Sequence, residues 1–176
     1  SLEFHGSLWS KWLASQLIPL SRSLKTLHLR NPCPLPDMSS LKVLHLEPFS
    51  ASPGQLEEIL ISCSGSLTTF VYEASGSRPD HIIRSRDAVK LLEGHCASLE
   101  SIHLVPRVWG DTGQGTMLKP MPNLKRFITL RNLVITTNAA YNTQSLSLPD
   151  EQSLVNFLPP SITSLTLVEP KLPPPA

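Results

Sequence analysis

The 176-residue chain has little net charge, few cysteines and no long apolar run. Lys+Arg 15 against Asp+Glu 14 leaves a formal charge of +1, so there is no basic excess to neutralise a row of phosphates. Nucleic acid is therefore not an expected partner. No stretch of eighteen apolar residues exists, so neither a spanning helix nor a membrane partner is expected. Three cysteines, Cys33, Cys63 and Cys96, make an odd count with no close pair. That argues against a disulfide framework and for a reducing compartment, cytoplasmic or nuclear. Glycine is scarce at 8, while proline is abundant at 17. With 40% hydrophobic residues present, the prolines read as punctuation between short ordered elements rather than as a disordered composition. The start, Ser1-Leu2-Glu3-Phe4-His5-Gly6, has no signal-peptide pattern and no initiator Met, so a piece of a longer product is expected. No lipidation motif is visible at the end.

What the chain does have is a repeated phrase: a small polar residue, an aliphatic, two variable residues, an apolar, a variable one, an apolar. It reads Ser23-Leu24-Lys25-Thr26-Leu27-His28-Leu29, then Ser40-Leu41-Lys42-Val43-Leu44-His45-Leu46. It returns as Ser66-Leu67-Thr68-Thr69-Phe70-Val71-Tyr72 and Ser98-Leu99-Glu100-Ser101-Ile102-His103-Leu104. A weaker copy is Asn123-Leu124-Lys125-Arg126-Phe127-Ile128-Thr129, and the last is Ser161-Ile162-Thr163-Ser164-Leu165-Thr166-Leu167. The first aliphatics stand at 24, 41, 67, 99, 124 and 162, with gaps of 17, 26, 32, 25 and 38 residues.

The phrase resembles the L-x-x-L-x-L strand of leucine-rich repeats. Side chains alternate along a strand, so the apolar residues turn inward and those between them face out. One copy cannot bury its apolar face alone, so copies must stack. The expected fold is α/β: an irregular leucine-rich-repeat solenoid over 1–176, clearest over 20–168, with a proline-rich tail at 169–176. Short parallel strands would line the concave face, with helices and loops on the convex side.

The linkers carry helix signals. Ser52-Pro53-Gly54 caps a short amphipathic helix over Gln55–Ile61. Ser85–Gly94 reads as a second helix ending at glycine, 149–158 as a third, and Leu8–Leu17 as a fourth with Trp9 and Trp12 nearly on one face. The 17-residue gap leaves no room for a helix, and Asn31-Pro32-Cys33-Pro34 marks a tight turn there. The stretches 105–122 and 130–147 read as long loops.

Cys96-Ala97-Ser98-Leu99-Glu100-Ser101-Ile102-His103-Leu104 resembles the phrase of cysteine-containing leucine-rich repeats, which are common in F-box proteins. Leu158-Pro159-Pro160-Ser161-Ile162-Thr163-Ser164-Leu165-Thr166-Leu167 is similar to a closing phrase of F-box/leucine-rich-repeat proteins of filamentous fungi. The resemblance covers roughly 20–168. It implies a substrate-recognition region that holds a protein target for a cullin-type ubiquitin ligase. The F-box itself, a helical module normally N-terminal to such repeats, is not found; Leu148-Pro149-Asp150-Glu151 imitates its opening but sits between repeats and reads as a turn and helix cap. Adaptor binding would then depend on a missing N-terminal F-box. The alternative is a repeat scaffold or sensor unconnected to ubiquitination.

The outward positions form the candidate partner-binding surface: Thr26, His28 and Arg30; Val43, His45 and Glu47; Thr69, Val71 and Glu73; Ser101, His103 and Val105; then Arg126. Ile128, Ser164, Thr166 and Val168 continue the frame. This mixed face suits a protein better than a polyanion; the plainer reading is ordinary strand surface, of which only a few residues would matter. His28, His45 and His103 share one column, so a metal-dependent hydrolase is the remote alternative, but zinc needs further ligands and Val71 fills the rung between. His95-Cys96 is the one adjacent His/Cys pair, better read as packing than as a nucleophile and its base. Ser62-Cys63-Ser64-Gly65-Ser66 lacks nucleophile-elbow spacing, and Gly110–Gly115 lacks the Lys-Ser/Thr of a phosphate loop. No enzyme activity and no cofactor are expected.

Overall fold

The computed structural model describes residues 2–4, 19, 21–30, 32, 34–47, 51–63, 65, 67–76, 83–108, 121–140 and 155–169. Its centre is an open parallel sheet of seven strands. These are β1 (Leu2–Phe4), β2 (Thr26–Leu29), β3 (Val43–Leu46), β4 (Thr69–Tyr72), β6 (Ser101–Leu104), β8 (Asn132–Thr136) and β9 (Ser164–Val168). They lie side by side in the order in which the chain makes them. Two short strands, β5 (Ser75–Gly76) and β7 (Arg107–Val108), pair with each other just beyond β4 and β6. Among the described residues no helix is long and apolar enough to cross a membrane.

One register holds the sheet together. Thr26 pairs with Val43, Val43 with Thr69, Thr69 with Ser101, Ser101 with Asn132 and Asn132 with Ser164. Just ahead of each strand, one carbonyl accepts two backbone N–H groups of the next rung. Lys25 O takes Lys42 and Val43, Lys42 O takes Thr68 and Thr69, and Thr68 O takes Glu100 and Ser101. Glu100 O takes Arg131 and Asn132, and Arg131 O takes Thr163 and Ser164, all at 2.8–3.0 Å. The small polar residue that opens the phrase adds a side-chain rung. Ser98 Oγ donates to Leu67 O, Thr129 Oγ1 to Leu99 O and Ser161 Oγ to Leu130 O, each at 2.8 Å. At these three rungs the Ser or Thr hydroxyl satisfies a carbonyl of the preceding rung.

This ladder corrects one repeat. The phrase at 123–129 is not a strand: Leu124–Arg126 is a 3-10 helix capped by Asn123, whose Oδ1 accepts from Lys125 N at 2.7 Å. The rung is instead Thr129-Leu130-Arg131-Asn132-Leu133-Val134-Ile135. The aliphatic positions become 24, 41, 67, 99, 130 and 162, and the last three spacings become 32, 31 and 32 residues. Residues 130–140, expected as part of a long loop, accordingly hold β8 and the short helix α3 (Thr137–Ala140), and 141–147 lie outside the described residues. Of the stretch 105–122, β7 is described at Arg107–Val108, and residues 109–120 lie outside the described residues.

The core lies on one side of the sheet. Leu27, Leu29, Leu44, Leu46, Phe70, Tyr72, Ile102, Leu104, Leu133 and Ile135 alternate inward and are buried. Leu41, Leu67, Leu99 and Leu130 join them from the start of each phrase. Full burial of such a side chain is worth roughly 1.5–3 kcal/mol. Against this side packs α1 (Pro53–Ser62), which buries Leu56, Ile59 and Leu60, spaced i, i+3, i+4. Ser52 caps it in a reciprocal box with Gln55: Gln55 N donates to Ser52 Oγ and Ser52 N to Gln55 Oε1. Gly65, three residues past the end of α1, has φ +89°, a conformation that disfavours any side chain. Next comes α2 (Ser85–Leu91), continued by a 3-10 turn over Leu92–His95, and it buries Ala88, Val89 and Leu92. Residues 155–157 are helical, inside the span expected for a third helix. The expected helix over Leu8–Leu17, residues 149–154, the Asn31 and Cys33 turn positions, the Gly110–Gly115 loop with Trp109, and the tail from 170 lie outside the described residues.

Candidate functional site

The second face of the sheet carries the outward positions, and it is here that a binding surface is available. Along the middle column the register runs Glu3, His28, His45, Val71, His103, Val134, Thr166. His28, His45, Val71, His103 and Val134 are half-buried, and Thr166 is exposed. The flanking column of Thr26, Val43, Thr69 and Ser101 is half-buried too, ending in exposed Asn132 and Ser164. The helices packed in the core lie behind the other face.

The sheet brings His28 and His45 together: their ring centroids are 4.3 Å apart and the planes tilt by 32°. Burial, then the neighbouring His28, holds His45 below the ordinary histidine range; Glu47 pulls the other way, and His103 adds to the lowering. Val71 stands between His45 and His103, so the three histidines do not converge. Among the described residues no three His, Cys, Asp or Glu side chains lie close enough to hold a metal ion. His103 meets a carboxylate instead: its Nε2 lies 3.2 Å from Glu73 Oε1, with the two side chains 30% and 18% exposed. The approach has the distance of an ion pair but not the angle of a hydrogen bond, since the buried Nε2 has no hydrogen-bond partner among the described residues.

Two expected surface residues lie elsewhere. Val105 is buried, 8% exposed, because the chain past Leu104 continues toward β7, with Val105 N still donating to Tyr72 O at 3.0 Å. Arg126 is exposed, but on the 3-10 helix rather than on a strand; its Nη1 lies 3.1 Å from Glu93 Oε2, beside α2. Ile128 is exposed in the turn that follows. Arg30 and Glu47 are exposed just past β2 and β3, and Glu73 is half-buried past β4.

Three polar groups are buried on the covered side. Tyr72 is fully buried, and its hydroxyl accepts from Ile83 N at 3.0 Å. Burial pushes the Tyr72 hydroxyl up to about 12, against the opposing Ile83 hydrogen bond. His95 is buried with Nε2 3.2 Å from Leu60 O, near the end of α1. Its Nδ1 is buried without a hydrogen-bond partner among the described residues. Burial lowers the His95 pKa, and the Leu60 carbonyl only partly opposes this. Burial also pushes the Cys63 thiol up to about 12, which makes it a packing residue rather than a nucleophile. Comparison with protein-family models, with curated proteins and with solved structures returns no match to this chain.

Proposed function

We propose that this chain is a leucine-rich-repeat solenoid segment that binds a protein target on its open sheet face. We further propose that it is the substrate-recognition region of an F-box protein in a cullin-type ubiquitin ligase. One observation carries the first statement. Six strands bearing the same phrase lie in one register, with one face buried from β2 to β8 and partly buried at β9, and the other half-exposed. Strands fixed by shared carbonyls make a rigid platform, and a rigid platform loses little entropy on binding. The face carries the close His103–Glu73 approach and offers Thr, Ser, Val and His side chains beside it. That mixture suits a protein surface. The ligase link rests on the resemblance of the phrases around Cys96 and Leu158; the chemistry would reside on other subunits, and this chain would act by positioning.

The test compares two variants as baits. One carries Val71→Arg and Val134→Glu on the open face. The other carries Ile61→Glu, which is 68% exposed at the end of α1. We expect a protein held by the wild type and by Ile61→Glu to be lost by the face variant. Loss in both, or in neither, contradicts the binding-face reading. For the ligase link, the full-length product should co-purify with a cullin-ligase adaptor, and turnover of the target should slow in the face variant. A product that keeps the target but binds no adaptor is a repeat scaffold, and the ligase link falls.

A further inference from the structure

We propose that the free edge of β9 is a docking seam for one further parallel strand, a rung bearing the same phrase and supplied by the same polypeptide past its last copy here. The inference rests on the repeat-solenoid reading and deepens it by naming what the last strand of the sheet receives.

Each rung is closed by the one after it. Leu99, Ile102 and Leu104 are 0% exposed with β8 next to β6, and Leu130, Leu133 and Ile135 are 0–1% exposed with β9 next to β8. At the start of the sheet Leu27 and Leu29, with β1 and β3 on either side, are 0% and 1% exposed. β9 has β8 on one side, and among the described residues no strand pairs with its other side. Its equivalent residues, Ile162, Leu165 and Leu167, are only partly buried, as are Phe157 and Leu158, which pack against the same core.

The backbone at this edge is set for the same kind of neighbour. Three acceptors recur on the side of each rung that meets the next. The carbonyl before the strand takes two N–H groups; after Lys25, Lys42, Thr68, Glu100 and Arg131, the next of that series is Thr163. The carbonyl of the first aliphatic takes a hydroxyl; after Leu67, Leu99 and Leu130, the next is Ile162. The carbonyl of the last inward residue takes an N–H from just past the following strand: Leu29 O from Glu47, Leu46 O from Glu73 and Tyr72 O from Val105. Leu167 holds that place in β9. Among the described residues no donor of a following rung reaches these three carbonyls. Ser164 N donates to Arg131 O, so by the alternation of a parallel ladder Leu165 and Leu167 turn their N–H groups to the open side.

Strands that end a sheet are commonly blunted by charge, proline or a bulge. β9, Ser164-Leu165-Thr166-Leu167-Val168, carries neither a charge nor a proline. The recurring acceptors describe the occupant. It runs parallel, opens with Ser or Thr over Ile162 O, sends two N–H groups to Thr163 O, and lays apolar side chains over Leu165 and Leu167. An antiparallel edge from a second copy would cover the leucines without repeating that order of donors. The last spacings of 32, 31 and 32 residues put the phrase one such interval beyond Ile162.

The experiment measures amide hydrogen exchange by NMR in the 176-residue chain and in the native product carried on through that interval. In the shorter protein we expect Leu165 and Leu167 N–H to exchange fast and Ser164 N–H to be protected by β8. In the longer product we expect the two edge amides to slow by about tenfold or more. Edge amides as fast in the longer product overturn the proposal, and so does a product with no Ser- or Thr-led phrase in the interval. Slowing in the shorter protein that grows with its concentration overturns it too, because a second copy then takes the edge. If the longer product is insoluble, a peptide copying Thr129–Thr136 is added to the shorter protein. It should slow the edge amides more than the same peptide carrying Thr129→Val, and equal effects or none overturn the proposal. These amides lie on the sheet edge, away from the Val71 and Val134 rungs, so failure here leaves the bait comparison standing.

Discussion

On one face of the sheet Leu27, Leu44, Phe70, Ile102 and Leu133 are 0–1% exposed; one residue along each strand, His28, His45, Val71, His103 and Val134 are half-buried on the other. Both rows hang on the same backbone and the same ladder of shared carbonyls. The covered row is uniformly aliphatic or aromatic, because only shape and apolar area matter where helices and linkers close over it. The open row changes from His to Val to Thr along the sheet, because stacking does not require any one residue there. The variation in the second row is thus permitted by the uniformity of the first, and under the proposed function it is where specificity for a partner would be written.

The largest effect should come from hollowing the covered row. Ile102→Ala is expected to cost about 2–5 kcal/mol, read as a lower denaturant midpoint, while Val71→Ala on the open row stays within about 0.5 kcal/mol. Similar costs for the two would erase the distinction between the faces. Next comes Tyr72→Phe, which keeps the apolar volume but strands the buried Ile83 N–H; about 1–3 kcal/mol is expected. A smaller loss, about 1 kcal/mol, is expected for Thr129→Val, which keeps the shape and removes the 2.8 Å bond to Leu99 O. No effect there would remove Thr129 from the ladder.

Acid should act on both faces in the same sense. His95 and His45 have folded pKa values below the ordinary histidine value of 6.5, so the unfolded chain binds protons more readily than the native one. Their contributions are present above 6.5 and are lost as pH falls through 6.5 toward the folded values. Thermal midpoints should therefore drop below about pH 6.5, and less steeply in His95→Gln. An unchanged slope in that variant would show that His95 does not sense acid.

Much of this was legible in the sequence, and the failures have physical causes. The phrases at 24, 41, 67, 99 and 162 set both the strands and the inward alternation. The Ser52 cap and the apolar spacing of Leu56, Ile59 and Leu60 marked α1. The fifth rung was misplaced because two overlapping frames compete. Asn123–Thr129 opens with a polar residue and a leucine but closes on Thr, whereas Thr129–Ile135 satisfies every position. The near-constant spacing of 31–32 residues was the available signal. Arg126 fell with that frame. Val105 failed for another reason: alternation holds only while the strand lasts, and the chain past Leu104 heads for β7. The His28–His45 contact followed from the shared frame position. The Tyr72–Ile83 and His95–Leu60 bonds join residues whose proximity no local pattern encodes.

Alkylation of single cysteines would test the two-faced sheet most directly. Val71→Cys, Val134→Cys, Ile102→Cys and Leu133→Cys are made separately in a Cys33→Ser, Cys96→Ser background, where Cys63 stays buried. The account predicts rapid native-state labelling at 71 and 134, and labelling at 102 and 133 only on unfolding. Fast labelling at 133 with protection at 134 would mean that β8 is slipped by one residue, and the continuous register on which the open face depends would be wrong.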